Sequence, residues 1–269
     1  MYLTKTLNGV EICYHQCGYT SSPPIVLMTG WAHDMHLYKQ MVPILASNHR
    51  VIRFNWRGHS INRDYTSDFG VEEQVQDTIA LLDALDVKEF YLVSHSHGGW
   101  PALELADRLG KDRVLTLLMI DQIMSPPPPE FKAGLQAMQD PKTWLTARQG
   151  LFENWLSGSN NANVKDHLIY SMGSFGHDMW SLSCRVIEDA YKTHTSPMHR
   201  MRAIANPPPI RHIFSHPLGS KEYRDLHVEL EKEAEWFSWT DLKGETHFPS
   251  LEIPEKVCEQ TEEMIALVE

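Results

Sequence analysis

The sequence predicts a doubly wound α/β domain. Two observations carry that expectation: short, wholly apolar runs recur along the chain, and amphipathic stretches of helical period lie between them. A third, a long strandless stretch bracketed by prolines, predicts a helical insertion.

Taken in order, residues 2–7 and 10–18 alternate apolar and polar and read as an antiparallel hairpin turning at Asn8-Gly9. The runs Ile25–Met28, Val51–Phe54, 90–93, Val114–Ile120 and Ile210–Phe214 read as strands buried on both faces. Val71, Val75, Ile79 and Leu82 recur at helical spacing with acids opposite, and residues 103–109 form a second helix closed by Gly110. Between Asp121 and Ile210 no strand is evident; Pro126 to Pro129 open the stretch and Pro207 to Pro209 close it. Its interior reads as helices rich in Met138, Trp144, Phe152, Trp155, Met172, Phe175, Met179 and Trp180. These side chains are either the core of a helical subdomain or an apolar cap over the C-terminal edge of the sheet, where open α/β sheets bind ligands. The expected division is a core domain of 1–122 and 207–269 with a cap of 123–206.

Composition narrows the function. The chain of 269 residues carries 24 basic and 35 acidic side chains, a net charge of −11, so gripping a phosphate backbone is disfavoured. No apolar run approaches the ~20 residues that a membrane span requires. The start of the chain lacks the pattern of a signal peptide. Cys13, Cys17, Cys184 and Cys258 are scattered without zinc or disulfide spacing, which suits a reducing cytoplasm.

The chemistry centres on Val93-Ser94-His95-Ser96-His97-Gly98-Gly99-Trp100, which leaves a strand and opens a helix. That is the context of the nucleophile elbow, here S-x-S-x-G, of the α/β-hydrolase fold: a mostly parallel eight-stranded sheet, with the helical cap expected after the sixth strand. Thr29-Gly30-Trp31-Ala32-His33-Asp34 follows the strand at Ile25–Met28; in this fold such a loop gives one backbone N–H to an oxyanion hole, here Trp31, and His97 gives the other. Trp31 and His33 also suit plain packing roles. Glu245-Thr246-His247-Phe248-Pro249 places a histidine before the last helix, where the fold puts its base. The order Ser96, Asp121, His247 satisfies the triad order of the fold. The acid more commonly follows the next strand, but that end reads His216-Pro217-Leu218-Gly219 and its nearest carboxylate is Glu222, so Asp121 is the better candidate. Fifteen histidines invite a metal, yet there is no H-E-x-x-H, no ligand-spaced carboxylate cluster, no G-x-G-x-x-G after a strand and no Walker A lysine. On the residues alone, the chain reads as a serine hydrolase or a relative of one.

Several longer runs carry a narrower resemblance: His95 to Trp100, Asn55-Trp56-Arg57-Gly58-His59, Gly30 to Asp34, Arg185-Val186-Ile187-Glu188-Asp189-Ala190-Tyr191, Ile210-Arg211-His212-Ile213-Phe214-Ser215 and Thr246-His247-Phe248-Pro249. From about Ile25 to the last helix the chain resembles the cofactor-independent 3-hydroxy-4(1H)-quinolone 2,4-dioxygenases. The resemblance implies O₂ as co-substrate, no metal or organic cofactor, and release of carbon monoxide and an N-acylanthranilate. It implies His247 as base backed by Asp121, and Ser96 as a hydrogen-bonding partner of the substrate rather than a nucleophile. His97, Trp31, His33, Trp155 and Trp180 would contact substrate, with Met172, Phe175 and Met179 extending a slot for its 2-alkyl group. The expected partners are a small quinolone and O₂, with no nucleic acid and no membrane, for a monomer or weak homodimer. A Ser96-Asp121-His247 esterase or C–C hydrolase, and a noncatalytic small-molecule receptor, are the rival expectations.

Overall fold

Asn8 and Gly9 both adopt left-handed backbone angles, φ 50° and 78°, as a two-residue hairpin turn requires. They join β1 (Leu3–Leu7) to β2 (Val10–Cys17), with Leu7 paired to Val10. The computed structural model describes residues 2–18, 21–60, 68–215 and 220–269. The remaining strands are β3 (Ile25–Met28), β4 (Val51–Phe54), β5 (Phe90–His95), β6 (Val114–Ile120), β7 (Ile210–Phe214) and β8 (Phe237–Asp241). The sheet order is β1-β2-β4-β3-β5-β6-β7-β8; β1, β2 and β4 pair antiparallel, and every pairing from β4 through β8 is parallel.

Alternate residues of each central strand feed opposite faces. Ile25, Leu27, Tyr91, Val93, Leu118 and Ile120 join one core with α1 (Met41–Leu45) and the C-terminal helix. Val26, Met28, Leu92, Leu117 and Met119 join the other, against α2 (Val71–Ala84) and α3 (Gly99–Leu109). Continuous apolar runs are what such two-sided burial demands.

The insertion follows β6. It contains α4 (Pro129–Gln139), α5 (Trp144–Leu156), α6 (Ala162–Asp166) with a π turn at His167–Ser171, α7 (His177–His194) and α8 (Pro197–Arg202). Pro129 occupies the first turn of α4, where its missing N–H costs nothing. Helix α8 packs against α3: Met198 and Met201 enter the core under the sheet, and Arg200 pairs with Glu104 and Asp107 of α3, each at 2.6 Å. After β7 come α9 (Lys221–Glu233), β8, the short α10 (Pro249–Glu252) and α11 (Pro254–Ala266). β8 was not readable as an apolar run, because only Phe237 of its five residues is buried at this sheet edge. Residues 216–219, where an acid after β7 would stand, lie outside the described residues. Among the described residues no helix is long and apolar enough to cross a membrane.

Candidate active site

Ser96 sits at the tip of β5 with φ 52°, a left-handed angle that costs a non-glycine residue roughly 1–2 kcal/mol. The neighbouring backbones explain why small residues surround it. A Cβ on Gly98 would lie 2.2 Å from the Thr29 carbonyl oxygen, and one on Gly30 would lie 3.2 Å from the Ser96 Cβ. The elbow and the end of β3 are therefore pressed together, which brings the Trp31–His33 loop to Ser96.

The Ser96 Oγ is 3.1 Å from His247 Nε2 and 3.4 Å from His97 Nδ1. His247 is held from several sides. Its backbone N–H donates to the Trp155 carbonyl at 3.0 Å, and His95 Nε2 donates to its carbonyl at 2.9 Å. The preceding turn is tied by Glu252, whose carboxylate accepts from the Glu245 N–H and from the N–H and hydroxyl of Thr246. Burial, with His95 and His97 adjacent, holds the His247 imidazole well below its ordinary pKa, so it is neutral and able to accept a proton.

Asp121 ends β6, also with φ 51°. Its Oδ1 accepts the Ser215 N–H at 3.2 Å; its Oδ2 is buried without a hydrogen-bond partner. Burial pushes this carboxyl well above the usual range. Asp121 and His247 line one cavity with Ser96, His97 and Trp155. Asp121 and His247 thus share a cavity, but no hydrogen bond joins the two side chains; the imidazole presents its Nε2 to Ser96. The two shifts are in the directions that closing an ion pair between them would reverse.

A second cavity shares Ser96, His97 and Trp155 and also meets Trp31, His33 and Trp180, so all six expected contact residues line it. His33 Nδ1 lies 3.1 Å from His167 Nε2 of the π turn, tying the β3 loop to the cover. Trp31 stacks on Phe69 with its Nε1 buried and unpaired. Met172, Phe175 and Met179 do not line the cavity; they are buried among the helices of the cover. Their places are taken by Phe131, Leu135 and Met138 of α4, Leu151 of α5, and Ser183, Cys184 and Ile187 of α7. The signal for these was present: Phe131, Leu135, Met138 and Trp180, Cys184, Ile187 both follow the i, i+4, i+7 spacing of one helical face. Met179 is one residue from Trp180, about 100° round the helix, and so faces elsewhere.

The volume is only ≈ 30 Å³ for this cavity and ≈ 80 Å³ for the Asp121 cavity. A groove of ≈ 310 Å³ beside Trp100, Glu104 and His194 is roomier but contains neither Ser96 nor His247. Among the described residues no three His, Cys, Asp or Glu side chains are grouped to hold a metal ion.

The α/β hydrolase fold family model matches residues 23–164. The 2-heptyl-3-hydroxy-4(1H)-quinolone dioxygenase of Mycobacteroides abscessus is 47% identical over 99% of this chain and 98% of its own length. The 1H-3-hydroxy-4-oxoquinoline 2,4-dioxygenase of Pseudomonas putida is 36% identical over 96% of this chain and 97% of its own. The chain belongs to the 3-hydroxy-4-quinolone 2,4-dioxygenases. A solved structure of an AqdC variant in complex with its substrate, the Pseudomonas quinolone signal, superimposes on this dioxygenase with a TM-score of 0.96, at 47% identity and 99% coverage of both chains. The fold class expected from the elbow, an α/β-hydrolase fold with a mostly parallel eight-stranded sheet, is thereby established for this dioxygenase.

Proposed function

We propose that this chain cleaves 2-alkyl-3-hydroxy-4(1H)-quinolones with O₂ to an N-acylanthranilate and carbon monoxide, with His247 as general base. The observation that carries the reading is the neutral, buried His247 at 3.1 Å from Ser96 Oγ, in one cavity with Asp121, whose Oδ2 has no hydrogen-bond partner, and stacked by Trp155. His247 takes the 3-hydroxyl proton of the substrate. The resulting anion is electron-rich enough to meet O₂ directly, forming a C–O bond at C2. The distal peroxide oxygen then attacks C4, and collapse expels C3 as carbon monoxide, leaving one oxygen atom of O₂ on C2 and one on C4. No metal or organic cofactor enters this sequence. Asp121 offsets the imidazolium that forms on His247, and the backbone N–H groups of Trp31 and His97 meet the developing oxyanions.

Ser96 orients the substrate by a hydrogen bond. The 2-alkyl group lies along Phe131, Leu135, Met138, Leu151 and Ile187, where each buried CH₂ contributes about 0.8 kcal/mol. That face favours a heptyl chain over a methyl group, and with it destruction of a bacterial quinolone signal.

The Ser96–His247 contact also fits a serine nucleophile and its base, so a hydrolase is the second reading. One experiment separates the two. Chelator-treated protein is mixed anaerobically with 2-heptyl- or 2-methyl-3-hydroxy-4(1H)-quinolone, O₂ is added, and carbon monoxide is assayed. Stoichiometric carbon monoxide supports the dioxygenase reading. Its absence, together with covalent labelling of Ser96 by a phosphonate, returns the protein to the hydrolases.

A further inference from the structure

We propose that His212, acting with His227 and Tyr223, is a positioning residue that holds Asp121 at its left-handed turn through a closed, tautomer-locked ring of hydrogen bonds. This inference rests on the reading of Asp121 as the partner of His247.

The ring lies behind the active site, between β6, β7 and α9. His227 Nδ1 is 2.7 Å from the Tyr223 carbonyl oxygen. A carbonyl only accepts, so this nitrogen carries the hydrogen and His227 Nε2 is an acceptor. His212 Nδ1, 2.7 Å from that Nε2, must then donate. His212 Nε2 is left as an acceptor, and it meets the backbone N–H of Gln122 at 3.2 Å. The Gln122 carbonyl accepts from the Tyr223 hydroxyl at 2.6 Å, which closes the ring, and the same hydroxyl oxygen accepts the Met124 N–H at 3.0 Å. Every donor meets an acceptor in one arrangement only: both histidines neutral and both protonated on Nδ1. Both imidazoles are wholly buried, and burial pushes His227 down to about 4 and His212 well below its ordinary value.

The consequence falls on Asp121. The peptide groups on both sides of it are fixed by β7: its own N–H donates to the Ile213 carbonyl at 2.8 Å, and the following N–H donates to His212. With Oδ1 taken by the Ser215 N–H, these bonds hold an unfavourable φ and leave Oδ2 free. His212 belongs to the run Ile210 to Ser215, which no catalytic role otherwise explains.

The test is a double-mutant cycle on quinolone cleavage with His212→Phe, Asp121→Ala and the pair. His212→Phe keeps the ring volume and removes both nitrogens. The expected result is a fall in kcat of up to about 100-fold, as for a misplaced catalytic group, with KM little changed. In the Asp121→Ala background the same substitution adds nothing, because the group it positions is gone. Tyr223→Phe, which removes one hydroxyl, gives a smaller fall of the same kind and serves if His212→Phe does not fold. Unchanged kcat in either ring variant, or losses that multiply in the double variant, overturns the proposal. A wild-type kcat in Asp121→Ala overturns the reading of Asp121 itself, and the proposal with it.

Discussion

The indole of Trp155 lies flat on the imidazole of His247, with ring centroids 4.8 Å apart and planes inclined by 16°. The cover thus touches the base directly, and it does two opposing things. It excludes water, which disfavours the imidazolium, and it offers a π face, which favours it. Desolvation can move a buried group by about 3–5 pKa units, whereas a cation–π contact contributes about 0.5–2 kcal/mol, at most roughly 1.5 units. Desolvation therefore wins. Trp155→Ala should admit water and let the His247 pKa climb back toward its ordinary 6.5. A base is active when unprotonated, so the acidic limb of kcat/KM moves to higher pH in the variant. A pH–rate profile of the two proteins checks this; an acidic limb that moves down would show that the stack outweighs the burial, and one that stays put would show that Trp155 does not set the base.

Replacing Ser96 by alanine distinguishes a hydrogen-bonding serine from a nucleophile. A hydrogen bond to a charged group is worth about 1.5–3 kcal/mol, so Ser96→Ala should lower kcat/KM for the quinolone by roughly 10- to 150-fold and still release carbon monoxide. A serine nucleophile would be worth on the order of 10⁶ in kcat. Steady-state oxygen consumption by the variant reads the difference. Loss of the larger size contradicts the positioning role.

The residues of the fold and the site are of unequal legibility in the sequence. Ser96, His97 and the Trp31–His33 loop were visible in the sequence because their job is local: a tight turn at a strand end needs small residues at fixed offsets, and Gly98 against Thr29 shows why. The hairpin at Asn8-Gly9 is local in the same sense. The strand Phe237–Asp241 was hidden because an edge strand with one buried residue carries no apolar run. The cavity-lining face of α7 was half visible. Trp180 lines the cavity, whereas Met179, one residue away, has the side-chain type without the helical phase, and Met172 and Phe175 precede the helix. The missing bond between Asp121 and His247, and the ring through His212 and His227, join residues far apart in the chain; no local pattern encodes them.

The chain-length preference should be adjustable from α4. Leu135 of α4 and Ile187 of α7 both line the cavity. Leu135→Trp would fill part of it. If it excludes three methylenes of a heptyl chain, the loss is about 2.4 kcal/mol, or roughly 60-fold in kcat/KM. The 2-methyl analogue should keep its rate, because its substituent never reaches Leu135. Measuring both substrates on the variant checks the assignment. An equal fall for the two would mean that Leu135 shapes the ring pocket or the fold, not the alkyl path.

The unusual number of buried imidazoles makes acid stability a sharp test of the whole interior. His97 and His167 are pushed down to about 3, His95 and His227 to about 4, and His33, His212 and His247 well below 6.5, all with burial as the leading cause. For each, the unfolded chain binds a proton near pH 6.5 that the folded chain refuses until lower pH. The unfolded state therefore holds more protons between about pH 6.5 and 4, and stability falls as pH drops through that window. Each such histidine contributes up to about 1.4 kcal/mol per pH unit there. Asp121 opposes them, since its raised carboxyl takes up a proton on folding, but it is one group against seven. Urea unfolding followed by circular dichroism at half-unit steps from pH 7.5 to 4.5 should show full stability above pH 6.5 and a steep decline below it, with more than one proton taken up per molecule unfolded. A flat profile down to pH 4.5 would mean that the imidazoles are hydrated or paired with carboxylates in solution, and that the dry interior described for this site is wrong.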